Sequence, residues 1–383
     1  MTPYTEKRPT QAYIDLDALA FNLHSCRKFL GSDIRVMAVV KADAYGHGAV
    51  ECASRLEHEG VDWFGVAIPE EGVQLRKAGI KTPVLCLGSF WPGQEQLLVE
   101  HNLTPVIFDL DTASLLERHA MERGVSIDVH VKIDTGMGRV GWRFENALEF
   151  AKNLSRFKHL NVNGLLTHFA SAEDPKQSDF THLQITRFNE TCEVFRNVGC
   201  TPTWFDLANS PGAIAHPESR GNMVRLGGAL YGLIDDILTP ETRKPELRPV
   251  LSLSSRITHI KNIPAGETLG YGRTFTTQQE SLIALLPIGY ADGYPRGLSN
   301  QSKAYVNGSL VPVVGRISMD WTLLDVSSVP ETRIGNEVFL IGGGPDHAIK
   351  AADLARELGT IGYEITCGIS PRVPRIPLIR QGS

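Results

Sequence analysis

Ile34-Arg35-Val36-Met37-Ala38-Val39-Val40-Lys41-Ala42-Asp43-Ala44-Tyr45-Gly46-His47-Gly48 starts as a short apolar run rich in β-branched residues and ends in a lysine and a glycine-bearing turn. Its apolar residues are continuous rather than alternating, as in a strand buried on both faces. Seven similar runs follow, at residues 63–68, 83–87, 105–108, 127–133, 162–167, 204–207 and 223–226. Eight such strands is the number in a closed parallel barrel. Amphipathic stretches lie between them. Leu16, Leu19, Leu23 and Leu30 fall near helical spacing behind a cap at Asp15 or Asp17, and residues 70–78, 112–123 and 180–197 also predict helices. This alternation predicts an α/β fold, an N-terminal (β/α)8 TIM-type barrel over residues 1–247, with a doubly wound open sheet as its rival.

Beyond residue 247 the texture changes. Short strands are predicted at 250–259, 281–287, 303–306, 310–314, 323–326 and 337–341, split by Gly, Pro, Asn and Asp, with a helix at 351–358. Residues 248–383 are therefore expected to form a C-terminal, mostly β domain.

The 383 residues carry 38 Lys and Arg against 43 Asp and Glu, a net charge of −5, which excludes a strongly basic nucleic-acid binder. A hydrophobic share of 42% with 21% charged residues is that of a folded globular chain. The six cysteines form no CxxC pair, so neither a zinc site nor a disulfide framework is expected, and the thiols fit a reducing compartment. The polar first eleven residues lack the apolar centre of a secretory signal, and no apolar run approaches the ~20 residues of a spanning helix. The expectation is a cytoplasmic protein with no membrane partner and no metal.

Barrel enzymes carry their chemistry at the carboxyl ends of the strands. Lys41 directly follows the first run. Either it carries its charge out to solvent, or burial lowers its pKa and makes it a nucleophilic amine. The fifth run carries Lys132 among apolar neighbours and leads to Gly136-Met137-Gly138-Arg139, where Arg139 is either a surface residue or a fork for a carboxylate. His168 ends the sixth run, as a structural histidine or a functional one. Ser210 follows the seventh run, and Arg225-Leu226-Gly227-Gly228 spans the end of the eighth, where barrels often bind phosphate. Two glycine-flanked tyrosines, Tyr271 and Tyr290, stand in the second domain, either in hairpin turns or projecting toward a partner. Gly342-Gly343-Gly344 lacks the Gly-Lys-Ser/Thr that follows in a P-loop and predicts a turn.

Together these segments resemble the alanine racemase family over nearly the whole chain and in the same order. The strongest pieces are residues 39–48, Lys132-Ile133-Asp134-Thr135-Gly136-Met137-Gly138-Arg139 and the Tyr290 cluster; Arg372-Val373-Pro374-Arg375 also fits. The resemblance implies a pyridoxal 5'-phosphate enzyme. Lys41 would carry the cofactor on its amine; Tyr45, Ser210, Gly227, Gly228 and Tyr363 would hold its phosphate; Arg225 would face its ring nitrogen; and His168 and Arg139 would flank its phenol oxygen and the substrate carboxylate. Lys132 looks like the lysine that is carbamylated in many family members. Tyr271, Tyr290, Met319 and Asp320 would come from the second subunit of a homodimer with shared sites, and Tyr363 favours alanine as substrate. The product D-alanine would supply peptidoglycan.

Elementary chemistry agrees with those roles. Racemisation removes the α-proton from one face and returns one to the other, so two groups on opposite sides suffice. Lys41 can serve one face and Tyr271 the other. A tyrosine with its ordinary pKa of ~10 is a poor base at neutral pH, and a neighbouring cation lowers that value. A barrel decarboxylase sharing the lysine is one competing expectation; its Glu-Pro-Gly-Arg signature is not in the sequence. A non-catalytic cofactor carrier is another, although it needs no second base and no second domain.

Overall fold

The computed structural model describes residues 8–344 and 347–379. The polar start read as free of a secretory signal falls largely on residues 1–7, outside the described residues. All eight apolar runs form strands: β1 Arg35–Val39, β2 Trp63–Val66, β3 Val84–Cys86, β4 Thr104–Ile107, β5 Ile127–Asp134, β6 Leu160–Leu166, β7 Trp204–Asp206 and β8 Met223–Leu226. Neighbours pair in parallel from β8 through β1 to β7. The last seam is looser. There the Arg225 N–H donates to the Ala208 carbonyl at 2.9 Å and the Phe205 N–H to Asn222 Oδ1 at 2.8 Å. The sheet is thus a nearly closed barrel and not an open one.

The predicted helices appear at Leu16–Leu30, Pro69–Lys77, Leu110–Arg123 and Ser178–Asn197. Asp15 is the cap of the first, its Oδ1 accepting from the Ala18 N–H at 2.8 Å, while Asp17 pairs with Arg55. Ala49–His58 and Ala147–Leu154 are further outer helices. The former buries Ala49, Cys52, Ala53 and Leu56. That spacing is helical, but most of these side chains are too small to stand out as an apolar stripe.

The period of two along each strand sorts residues between the barrel interior and the helical shell. Met37, Trp63, Leu85, Val106, Leu166 and Met223, from six strands, fill the bottom of the barrel as one cluster. On β5, Val129, Val131 and Ile133 pack outward under the helices, leaving His130 and Lys132 to the interior. On β8, Arg225 pairs in register with Met37, one step above Met223. The apolar floor therefore gives way upward to Lys132 and Arg225, both buried.

The second domain is mostly strand, as expected. Its larger sheet runs Ser309–Pro312, Lys303–Val306, Glu337–Ile341, Leu251–Arg256, Gln11–Asp15, Arg375–Leu378. The stretch predicted as one strand at 250–259 breaks at Ile257, so that His259–Ile263 joins a separate sheet with Ser281–Leu286 and Thr322–Asp325. Gln11–Asp15 precedes the barrel in the chain but pairs antiparallel with Leu251–Arg256 and parallel with Arg375–Leu378. The expected division at residue 247 leaves that strand on the barrel side; its alternate burial of Ala12 and Ile14 matches a sheet with one covered face. Gly342, Gly343 and Gly344 all have φ between 63° and 91° and form a turn closed by the Gly342 N–H to the Ile349 carbonyl. Among the described residues no helix is long and apolar enough to cross a membrane.

Candidate active site

A cavity of about 520 Å³ opens at the carboxyl ends of the barrel strands. Lys41, Lys132, Arg139, His168 and Arg225 all line it.

Lys41 enters from an unusual backbone. Ala42, Asp43, Ala44 and Tyr45 all have φ between 52° and 55°, a full left-handed turn without glycine. Such a conformation costs roughly 1–2 kcal/mol per residue, so the turn stores about 4–8 kcal/mol. Its polar groups are tied from several sides. Glu71 Oε1 accepts the Ala42 N–H at 2.7 Å, and Asp43 Oδ1 accepts the Ala49 N–H at 2.7 Å. The buried His47 donates from Nδ1 to the Ala44 carbonyl at 2.9 Å. Burial lowers the pKa of that imidazole to about 4, so it is neutral. Arg375 of the second domain donates from Nε to the Gly46 carbonyl at 3.0 Å and from its other nitrogens to the carbonyls of Ile369, Ser370 and Val373. The left-handed turn lets the chain present both Lys41 and Tyr45 to the same cavity.

Four basic side chains converge there, against Glu173 on the lining and the buried Asp206 beneath. Arg225 forms an ion pair with Asp206 at 2.5 Å and donates to the Thr167 and Leu207 carbonyls, so its fork is immobilised by the ends of β6 and β7. Burial pushes the Asp206 carboxyl up while Arg225 pulls it down. Arg225 Nη2 also lies 3.2 Å from His168 Nδ1. A guanidinium only donates, so Nδ1 carries a lone pair and the imidazole proton sits on Nε2. Burial first, then the Arg225 charge, holds His168 well below the usual histidine range, hence neutral. Burial, Arg139 and Arg225 also lower Lys41, and burial with the two arginines brings Lys132 down to about 7. An anionic ligand would relieve this crowding of cations.

One end of the cavity is shaped by two glycines. A Cβ on Gly227 would stand 2.3 Å from the Tyr45 hydroxyl, and a Cβ on Gly228 2.2 Å from the Tyr363 hydroxyl. The two rings meet edge to face at 5.4 Å. Burial raises both phenols, so both keep their protons. Ser210 Oγ accepts the Gly227 N–H at 2.9 Å. Two protonated tyrosines, a serine and bare backbone thus close on a space that any side chain at 227 or 228 would fill. That donor set fits a phosphate group.

The remaining predicted residues lie elsewhere in the single chain. Tyr271 sits in the tip between the paired strands Thr268–Leu269 and Phe275–Thr276, 73% exposed, and does not line the cavity. Met319 and Tyr290 are also exposed, and Asp320 pairs with Arg372 at 2.8 Å. Arg316 approaches Gly270 and Gly272, and the Ser318 and Met319 carbonyls accept from the Tyr290 and Ala291 N–H groups. The tyrosines and Met319 therefore share one exposed face of the second domain. Asp206 and Glu71 hold the site together without having been singled out in sequence, and so does Arg375, which was quoted there only as the end of the closing Arg372-Val373-Pro374-Arg375 segment. Of Asp206 and Glu71, Asp206 gave a signal there, as an acid inside the apolar run at 204–207.

Two family models match the chain: alanine racemase, N-terminal domain, over residues 14–235, and alanine racemase, C-terminal domain, over residues 250–377. The chain is 42% identical to the alanine racemase of Halothermothrix orenii over 370 residues, covering 96% of each, and 41% identical to that of Geobacter sulfurreducens over 97% of this chain and 98% of the relative. The solved alanine racemase of Clostridium difficile superposes with a TM-score of 0.91 at 37% identity, covering 97% of this chain and 96% of the other. With matches at both domains and along the full length, the chain belongs to the alanine racemase family of isomerases.

Proposed function

We propose that this racemase interconverts L- and D-alanine with pyridoxal 5'-phosphate by a two-base route, in a homodimer whose sites each draw on both chains, and that it supplies D-alanine for peptidoglycan from the cytoplasm. The observation that carries this reading is the convergence of the Tyr45 and Tyr363 hydroxyls on Gly227 and Gly228, in the same cavity as a lysine of lowered pKa.

When bound, the cofactor withdraws electrons from the substrate's α-carbon and so acidifies its proton. Tyr45, Tyr363, Ser210 and the Gly227 and Gly228 backbone hold the phosphate. Lys41 binds the cofactor through its amine and, once that amine is free, takes or returns a proton at Nζ on one face. Its lowered pKa favours the neutral amine needed to bind the cofactor and to take a proton; the ammonium so formed returns it. Tyr271 exchanges a proton at its hydroxyl on the opposite face. Since Tyr271 does not line its own chain's cavity, it reaches the cavity of a partner. The exposed face shared by Tyr271, Tyr290 and Met319 supports such a contact, because apolar side chains grouped on a surface mark an interface.

Arg139 binds the substrate carboxylate. Its charge, with that of Arg225, stabilises a phenolate at the incoming tyrosine. Arg225, a donor only, would leave a ring nitrogen facing it unprotonated, which would weaken the electron sink and suppress transamination. Lys132, its pKa lowered to about 7, would supply a neutral amine that adds CO2 at nitrogen and releases a proton to solvent; the resulting carbamate anion would fix Arg139. Tyr363, with Tyr290 and Asp320 from the partner face, would narrow the entrance to suit a methyl side chain.

Purified protein given pyridoxal 5'-phosphate and L-alanine should yield D-alanine, read with D-amino-acid oxidase or by loss of circular dichroism. Absence of D-alanine with cofactor present would end this reading.

A further inference from the structure

On the outer wall of the barrel, away from the cavity described above, His182, His216 and Glu218 bring one ligand atom each to within 4.8 Å of one another. His182 projects from the helix Ser178–Asn197, and His216 and Glu218 flank Pro217 at the turn Pro217–Ser219. We propose that these three residues bind a divalent transition-metal ion, of the Zn2+ class, that braces the helix against the turn.

The orientation of His216 carries the inference. Its Nε2 lies 3.2 Å from the Ala172 carbonyl, an acceptor only, so Nε2 holds the hydrogen and Nδ1 presents a lone pair. That lone pair faces Glu218 Oε1 at 3.7 Å, one acceptor against another. A ring hydrogen donated to a backbone carbonyl, with the other nitrogen free, is the outer-shell arrangement of metal-bound histidine. His182 Nε2 approaches the same carboxylate oxygen at 2.9 Å.

The spacing suits tetrahedral coordination. Two metal–ligand bonds of ~2.0–2.1 Å at the tetrahedral angle separate their ligand atoms by about 3.4 Å, between the two values here. Two imidazoles and one carboxylate select Zn2+, Co2+ or Ni2+ over Ca2+ and Mg2+, which want oxygen ligands throughout.

His182 and Glu218 are both exposed, so solvent reaches the site from outside. Arg220, which lines a surface cavity together with His216, donates to the Ala213 carbonyl at 2.9 Å and the Leu30 carbonyl at 3.4 Å. The backbone under the site is stiff. Ser219 Oγ donates to the His216 carbonyl at 2.7 Å and to the Gly212 carbonyl at 3.1 Å.

The test is a calorimetric titration of chelator-treated holoenzyme with Zn2+, paired with the visible spectrum of the Co2+ form. One ion per chain is expected, with the Co2+ bands of a four-coordinate nitrogen–oxygen site and a rise of the thermal midpoint. His182→Ala, at an exposed helical position, and Glu218→Gln should each weaken binding at least ~10-fold and remove the midpoint rise, with far-ultraviolet circular dichroism unchanged. No binding to wild type, or equal binding by wild type and both variants, would overturn the assignment.

Discussion

Replacing Gly227 by alanine adds one methyl group where the proposed phosphate cradle is narrowest. Gly227 has no positive φ, so the backbone accepts alanine without strain, and the effect is confined to what the methyl meets. It meets the Tyr45 hydroxyl at 2.3 Å and the ring carbon bearing it at 2.9 Å. Non-bonded contact wants ~3.5 Å, so the hydroxyl must retreat by about 1.2 Å, enough to break a hydrogen bond. Tyr45 is hemmed in by Tyr231 and Tyr363, with centroids at 5.2 Å and 5.4 Å, so the ring has little room to move aside. A hydrogen bond to a charged group is worth ~1.5–3 kcal/mol, so the dissociation constant for pyridoxal phosphate should rise about 10- to 100-fold. The assay is a fluorescence titration of the apoprotein with pyridoxal phosphate, with thermal unfolding of the apoprotein as the check on fold. Tyr45→Phe removes the same hydroxyl without the clash and should cost a similar amount. The double variant should cost clearly less than the sum, because both changes act on one contact. Wild-type affinity in Gly227→Ala, or strict additivity in the double variant, would refute the cradle.

Lys41→Ala should abolish the visible absorbance of bound cofactor after dialysis; a surviving band would show that another residue carries it. Tyr271→Phe should keep that band yet lose at least ~100-fold in turnover, the scale of a missing general base, and unchanged turnover would remove the second base. Mixing inactive Lys41→Ala chains with inactive Tyr271→Phe chains should restore activity, since a hybrid dimer holds one site with both residues intact; no recovery on refolding the mixture would argue against shared sites. In CO2-free buffer, Lys132 has a folded pKa of about 7 against its ordinary 10.5, so the unfolded chain binds the extra proton between those values. Stability should therefore rise with pH across that window, and Lys132→Met should flatten part of the rise; urea midpoints that run parallel in both proteins at pH 7 and pH 10 would refute a buried neutral amine.

Much of the fold follows from hydrophobic periodicity, a local property. Continuous apolar runs mark strands covered on both faces, and all eight pair as a barrel. Lys41, His168 and Arg225 could be picked out because a barrel exposes strand ends to ligand and the chain order shows where strands end. What stayed hidden depends on contacts distant in sequence. Gln11–Asp15 belongs to the second domain's sheet because its partners, Leu251–Arg256 and Arg375–Leu378, lie over 200 residues away. The left-handed turn from Ala42 to Tyr45 opposes every local preference and stands only because Glu71, His47 and Arg375 satisfy its polar groups. The neutrality of His168 and the depressed value of Lys132 likewise arise from burial beside Arg225, which no linear motif encodes. Sequence alone determined which elements form and which chemical groups are offered. Tertiary structure decided which of those groups meet, which carry charge, and that Tyr271 faces outward, because desolvation and proximity exist only once the chain has closed on itself.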